Sequence, residues 1–308
     1  MYVAKVVESG EDRIGVFAPA KVNLWLRVGA GLPGDKRHTL LTVFRALDLG
    51  DYLQLRPAPW GSTGDTVRTC FASDLPRVEG LDGPDNLVRR ALALLREVTG
   101  KEIPYTEVEV EKHIPVAGGM AGGSADAAGT LLGANELYGL GLSGEQLLAL
   151  AACLGSDVPF ALLGGTALGR RYGDELEPLE AGPQCHWALA INRRGLSTPQ
   201  VFQEFDRLHP ELAPAPRQLP ADLETALTAP GPRLATELHN DLEEAAVSLR
   251  PELGKLIQIA QQAGALRAVV SGSGPTLAVL CSQRDTAQKV GESLVECPEI
   301  ETVVLARG

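Results

Sequence analysis

The chain of 308 residues is 44% hydrophobic and 22% charged, the balance of an ordinary globular protein with room for about two domains. Its net charge of −11 argues against a nucleic-acid binder, which needs a basic stripe, but not against a small anion held by a few local donors. No stretch reaches the roughly 20 apolar residues that span a bilayer, and the opening MYVAKVVESGEDRIGVF lacks the apolar core of a secretory signal, so a cytoplasmic protein away from membranes is expected.

In chain order, AKVNLWLRV alternates: Val22, Leu24, Leu26 and Val28 share one face and Lys21, Asn23, Trp25 and Arg27 the other, which predicts a half-buried strand. LLTVFRALDLGDYLQLRP reads as two strands joined by a turn at DLGD. NLVRRALALLREVTG has the periodicity of an amphipathic helix stopped by Gly100. TEVEVEKHI alternates again, with Val108, Val110 and Ile114 opposing Glu107, Glu109 and Glu111, and ADAAGTLLGANELYG reads as a helix closed by Gly139. From about Gly182 the pattern restarts with the apolar strand HWALAIN and a short helix in STPQVFQEFDRL. Leu208 to Arg233, rich in proline, reads as an irregular excursion. A helix in PELGKLIQIAQQAGA, strands in LRAVV and in SGSGPTLAVLC, and a final helix–strand pair close the chain. Mixed hairpins and helices favour an α+β fold over a doubly wound parallel sheet, with a domain boundary near residue 182.

Chemistry concentrates in PVAGGMAGGSADAAG, Pro115 to Gly129, which holds five glycines and follows a strand. A strand, a glycine loop and then a helix suit an anion: the first amides of the helix point outward, the dipole adds positive charge, and no Cβ blocks the backbone. Ser124 stands where a Walker A loop needs lysine, and GxGxxG is absent, so neither common nucleotide loop fits. From the residues alone, a glycine/alanine surface for close helix packing remains the alternative. The five cysteines show no CxxC pair and the five histidines no HExxH, so neither structural zinc nor a disulfide framework is expected.

The full string resembles the signature of the GHMP kinases (galactokinase, homoserine kinase, mevalonate kinase and phosphomevalonate kinase), in which P-x-x-x-G-[LM]-[GA]-G-[GS]-S wraps the phosphates of ATP. APAKVNLWLRV, DNLVRRA, LGSDVPFAL, GGTALGRRYGDELEPL and SGSGPT, in that order, are similar to the branch that phosphorylates a cytidine-diphosphate-linked methylerythritol in the non-mevalonate isoprenoid route. The resemblance implies an α+β, two-domain GHMP kinase fold: residues 1–182, like ribosomal protein S5 domain 2, with the phosphate loop and catalytic residues, and a ferredoxin-like domain over residues 183–308. It implies ATP and magnesium as cofactors, a small-molecule acceptor as partner, and a monomer or homodimer.

Carried over residue by residue, the resemblance makes Asp157 of GSDVP the catalytic aspartate that orients or deprotonates the acceptor hydroxyl, and Lys21 its catalytic partner. A helix N-cap is the plainer reading of Asp157, because Val158-Pro159 follows. Pro115, Val116, Ala117, Gly118, Gly119, Met120, Ala121, Gly122, Gly123, Ser124 and Ala125 would hold ATP, with Asn86 and Lys112 at its adenosine. No metal ligand is assigned; Ser124 is the candidate for magnesium. Asn23, His38, Phe44, Thr198, Phe202, Ser271, Gly272, Ser273 and Gly274 would bind the acceptor, His38 at the cytosine. Where the family reads D-G-Y-H this chain reads GDKRH, so Lys36 replaces glycine, and Arg37 replaces a tyrosine that stacks on the base; a guanidinium can also stack. The rival readings are a kinase for homoserine, mevalonate or a sugar, and a nucleotide-binding regulator without turnover.

Overall fold

The computed structural model describes residues 3–308 apart from 11, 33, 36, 74 and 117. It divides into two compact units, one of residues 1–20, 49–116 and 121–164, the other of residues 21–48, 117–120 and 165–308. Two long strands, β2 (Ile14–Gly31) and β3 (His38–Pro57), run through both.

In the first unit, β1 (Lys5–Ser9) pairs antiparallel with the start of β2. The end of β3 pairs antiparallel with β5 (Thr106–Lys112), which lies parallel to β4 (Thr66–Phe71). Helix α1 (Leu87–Thr99) is capped by Asn86 and stopped by Gly100 in the left-handed conformation, as its sequence predicts. Then come α2 (Gly122–Leu137), α3 (Gly144–Leu154) and the short α4 (Val158–Leu163). α2 is buried over most of its circumference, Asp126 included. It packs on the sheet through small residues: a Cβ at Gly129 would lie 3.1 Å from Leu53 and 3.3 Å from Ala18. The close-packing alternative is therefore correct for the far end of the glycine stretch.

In the second unit, β3 from Leu40 to Arg45 pairs with β6 (Thr166–Arg171), which pairs with β7 (Glu175–Pro178). Trp25 and Leu26 of β2 pair with the two-residue β9 (His239–Asn240). A four-stranded antiparallel sheet has the order β10 (Arg267–Val270), β11 (Leu277–Cys281), β8 (His186–Asn192) and β12 (Ile300–Arg307). Leu253 and Leu256 of α9 (Glu252–Gln262) and Val290 and Leu294 of α10 (Arg284–Val295) cover it, enclosing Ala188, Val270 and Val279. A second cluster joins Leu26 and Val28 to Val201 and Phe205 of α5 (Thr198–Leu208) and Leu242 of α8 (Leu242–Leu249).

Three expectations are corrected. DLGD is no turn: β3 runs unbroken for 20 residues. Its carboxylates bond to other segments, Asp48 to the backbone N–H of Arg307 and Asp51 to those of His113 and Ile114. Gly50 is there for space, since a Cβ would meet the Ala18 carbonyl at 2.5 Å. The polar face of β2 is not solvated either; Lys21, Asn23 and Trp25 are all buried, and only Arg27 is exposed. Finally, the proline-rich excursion contains α6 (Ala221–Leu227) and the start of α7 (Gly231–Glu237). Pro220 and Pro230 sit at the N-caps and Pro232 in a first turn, where a missing N–H breaks no bond.

Candidate active site

Two glycine loops and the middle of β2 meet within the second unit. The first loop leads into α2, which begins at Gly122, three residues ahead of the ADAAG start expected from the sequence. Ala121 stands at the N-cap in the left-handed conformation (φ 59°) without a side-chain capping bond. No side chain at the N-cap competes for the first-turn amides, an arrangement open to an anion. Gly119, also left-handed (φ 67°), is required by its neighbour, because a Cβ there would lie 2.4 Å from the Ser271 carbonyl oxygen. The Ser271 hydroxyl donates to the Gly119 carbonyl at 3.2 Å and the Lys21 N–H to that of Met120 at 3.3 Å. Met120, Pro115, Gly118 and Ala125 are buried and anchor the stretch; Val116, Gly122 and Ser124 are half-buried and Gly123 exposed. Ala117 lies outside the described residues.

Lys21 and Asn23 do share a face, as their alternation predicts. The Lys21 ammonium donates to Asn23 Oδ1 at 2.8 Å and lies 5.6 Å from the centre of the Phe44 ring. Asn23 Nδ2 donates to Thr42, whose hydroxyl donates in turn to the Trp25 carbonyl, both at 2.8 Å. The second loop closes on this group: a Cβ on Gly272 would be 3.8 Å from Asn23 Oδ1 and 3.9 Å from the Lys21 ammonium. Asn240, which the sequence reading missed, holds that loop by donating at 2.7 Å to the carbonyls of both Val270 and Gly272. A single asparagine in ELHND carries no signal; its role exists only once β9 lies beside the loop. Thr198, at the start of α5, bonds to Ser273 at 2.8 Å.

On the expected acceptor side, the His38 ring stacks on Phe202 (5.1 Å, 14°). Its Nδ1 lies 3.1 Å from the Gly29 carbonyl and its Nε2 3.2 Å from Asp206. Phe44 is buried, with only 3% of its surface exposed. Arg37 has an aromatic partner of its own: its guanidinium sits 3.8 Å from the centre of the Tyr172 ring. Asp35 holds both, accepting from Arg37 at 2.7 Å and from the Tyr172 hydroxyl at 2.6 Å. These bonds, that from Arg37 first, keep the Asp35 carboxyl well below its usual range. Tyr172, in the β6–β7 turn, gave no sign in the sequence; Lys36 lies outside the described residues.

Within the first unit, Asp157 occupies the N-cap position of α4, with Pro159 in the first turn, yet its side chain makes no capping bond. Asn86 is engaged at both ends of its amide, accepting from Val88 N–H at 2.7 Å and donating to the Leu81 carbonyl at 2.8 Å. Lys112 is buried between two carboxylates, bonding Asp126 at 2.8 Å and Asp51. Burial opposes its charge, but the two aspartates outweigh that and hold the ammonium above its ordinary range. Burial foremost, against the pull of Lys112 and with the help of Asp51, pushes Asp126 up to about 8.

Comparison with known proteins identifies the family to which the chain belongs. Residues 86–165 match the family described as GHMP kinases N terminal domain, and residues 227–299 the GHMP kinases C terminal family. The chain is 47% identical over 279 residues to a 4-diphosphocytidyl-2-C-methyl-D-erythritol kinase of Nocardioides sp., covering 90% of this chain and 91% of the relative. It is 47% identical over 294 residues to the protein of that name from Nocardia farcinica, covering 95% and 93%. A crystal structure of 4-(cytidine 5'-diphospho)-2C-methyl-D-erythritol kinase superposes with a TM-score of 0.74 at 30% identity, over 95% of this chain and 98% of that one. A homoserine kinase from Cytophaga hutchinsonii shares the fold (TM-score 0.70) at 23% identity, covering 99% and 96%. No helix among the described residues is long and apolar enough to cross a membrane.

Proposed function

The chain belongs to the GHMP kinases, and from that footing we propose that it transfers the γ-phosphoryl group of ATP to the 2-hydroxyl of 4-diphosphocytidyl-2-C-methyl-D-erythritol. The observation that carries this reading is the 47% identity, over 90% and more of both chains, to relatives that bear that kinase's name. The reaction belongs to the methylerythritol phosphate route to isoprenoid precursors. We place the boundary between its two domains near residue 182, between the two family matches, and the protein in the cytoplasm.

Catalysis of this type is mostly positioning and charge stabilisation. Asp157 orients the acceptor hydroxyl and takes its proton as the oxygen attacks phosphorus, a general-base role worth about 10²–10⁴-fold. Lys21, held by Asn23 at 2.8 Å, supplies a fixed positive charge for the transferring phosphoryl group. The backbone amides of the first loop and of the first turn of α2 take the phosphates. Ser124 would offer its hydroxyl to a magnesium ion bound with the nucleotide, which would offset phosphate charge there; a single protein ligand suits an ion that keeps most of its waters. His38, with Phe202 beside it, receives the cytosine, and Arg37 on Tyr172 offers a cationic flat surface in the place of the family's tyrosine.

The test is ADP release with a panel of acceptors. Turnover with the cytidyl substrate and none with homoserine, mevalonate or a sugar is expected. Turnover with one of those instead would overturn the substrate, and ATP binding without turnover on any acceptor would favour a regulator.

A further inference from the structure

The first glycine loop is tied at both of its ends by a cluster of buried charge. Asp51, fully buried on β3, accepts from the N–H groups of His113 at 2.7 Å and Ile114 at 2.8 Å through one oxygen. Its other oxygen takes the Lys112 ammonium. The same ammonium donates at 2.8 Å to Asp126, one turn beyond the start of α2. The chain is thereby fixed at 112–114 and again at 126, and the residues between are those expected to hold ATP. Gly122, the first residue of α2, lies directly on this cluster: a Cβ there would be 3.1 Å from Ile114 Cγ2 and 3.2 Å from the Lys112 ammonium.

We propose that Asp51, Lys112 and Asp126 form a clamp that draws the two ends of the glycine loop together, so that they position its amides for the nucleotide's phosphates without touching the nucleotide. The inference rests on the kinase reading above and changes the part expected of Lys112, from contact with adenosine to action through the loop.

Two physical arguments carry it. Burying an ammonium with two carboxyl groups is costly before their mutual attraction is counted, and apolar side chains of similar volume often serve stability as well. Here Asp126 Oδ1 is buried without a well-formed hydrogen bond among the described residues, so the cluster is a poor device for stability alone. A conformational role accounts for it. A loop with this much glycine samples many conformations when free, and affinity for a ligand falls by the fraction of time the loop is competent. Tying its ends raises that fraction. An ammonium next to the positive end of a helix also needs compensation, which the Asp51 carboxylate and the accepting oxygen of Asp126 provide.

The test uses the full chain and three probes: ATP, inorganic tripolyphosphate, which has the phosphates without the nucleoside, and adenosine, which has the reverse. Asp126→Ala cuts the tie to α2 yet leaves Lys112 paired with Asp51, so the variant has no stranded buried charge. If the untied loop is competent about a tenth of the time, tripolyphosphate and ATP each bind about 10-fold more weakly and adenosine binds as before. Asp126→Asn, which still accepts from Lys112, restores most of the loss. Lys112→Met gives the same pattern as Asp126→Ala. Wild-type tripolyphosphate affinity in Asp126→Ala would overturn the clamp. So would a Lys112→Met variant that loses adenosine and keeps tripolyphosphate, since that is the mark of direct contact. A wild-type protein that binds neither ATP nor tripolyphosphate would instead overturn the kinase reading, and the clamp with it.

Discussion

Alanine at Gly119 and alanine at Gly123 have opposite consequences for stability, because different constraints put glycine at the two positions. At Gly119 the φ of 67° costs an alanine roughly 1–2 kcal/mol. Its Cβ would also stand 2.4 Å from the Ser271 carbonyl oxygen, about 1 Å inside ordinary contact, and a backbone oxygen has little freedom to retreat. Overpacking of that kind costs about 1–3 kcal/mol. A total of about 3 kcal/mol lowers the unfolding midpoint by ~6–12 °C. The accompanying shift of the loop, up to about 1 Å, lowers kcat/KM for ATP by about 10². Gly123 is exposed, lies inside α2, and has no neighbour nearer than Leu87 Cδ1 at 4.0 Å. Alanine there stabilises the helix by about 0.5–1 kcal/mol. Its methyl group, however, projects where the proposed phosphate would lie against the first-turn amides, and KM for ATP is expected to rise by about 10-fold or more. Thermal unfolding and steady-state ADP release on the two variants read both quantities. A Gly123→Ala protein that is more stable and uses ATP as the wild type does would refute the phosphate cradle. An unchanged midpoint in Gly119→Ala would refute the packing of the two loops.

Asp157→Asn is expected to keep its affinity for ATP and to lose turnover by at least about 10²-fold; near-normal turnover would mean the base is another group. Asn240→Ala removes donors to two carbonyls and the acceptor for the Leu242 N–H, and should cost about 3 kcal/mol in chemical denaturation while raising KM for the acceptor. Asp241 provides a pH test. Burial opposes its charge, but His239 at 2.6 Å, the Val28 N–H at 2.9 Å and Arg27 at 2.8 Å hold its pKa below 3.8. A lowered carboxyl pKa adds stability above the unfolded value, and that part is lost as pH falls through the folded value. The unfolding midpoint should therefore drop below about pH 4 more steeply in the wild type than in Asp241→Asn; parallel curves would sink the assignment.

Much of this protein was legible in local pattern. The alternation of TEVEVEKHI, the helix of NLVRRALALLREVTG with its asparagine cap and Gly100 stop, and the strand–loop–helix order around Gly118–Ser124 all depend on neighbours in sequence, and each was formed as expected. Local pattern failed where a residue's partner is remote. DLGD has the composition of a turn, but Asp51 is matched to amides some sixty residues away, and a strand continues through it. Of the prolines between 208 and 233, Pro210, Pro214 and Pro216 do lie in an irregular stretch, but Pro220, Pro230 and Pro232 serve to start helices.

A long local motif was enough to identify the family and the α+β class and to nominate the polar residues proposed for phosphoryl transfer, because such a motif fixes a backbone path and the chemistry that path can offer. How those residues are held emerges from the packing of the folded chain. It put Lys21 against Asn23, Ser271 against Gly119, Arg37 on Tyr172, and Lys112 between Asp51 and Asp126. Each of those pairings, apart from the first, joins segments that no periodicity connects. Such contacts follow from packing of whole elements, where distance in space is unrelated to distance along the chain.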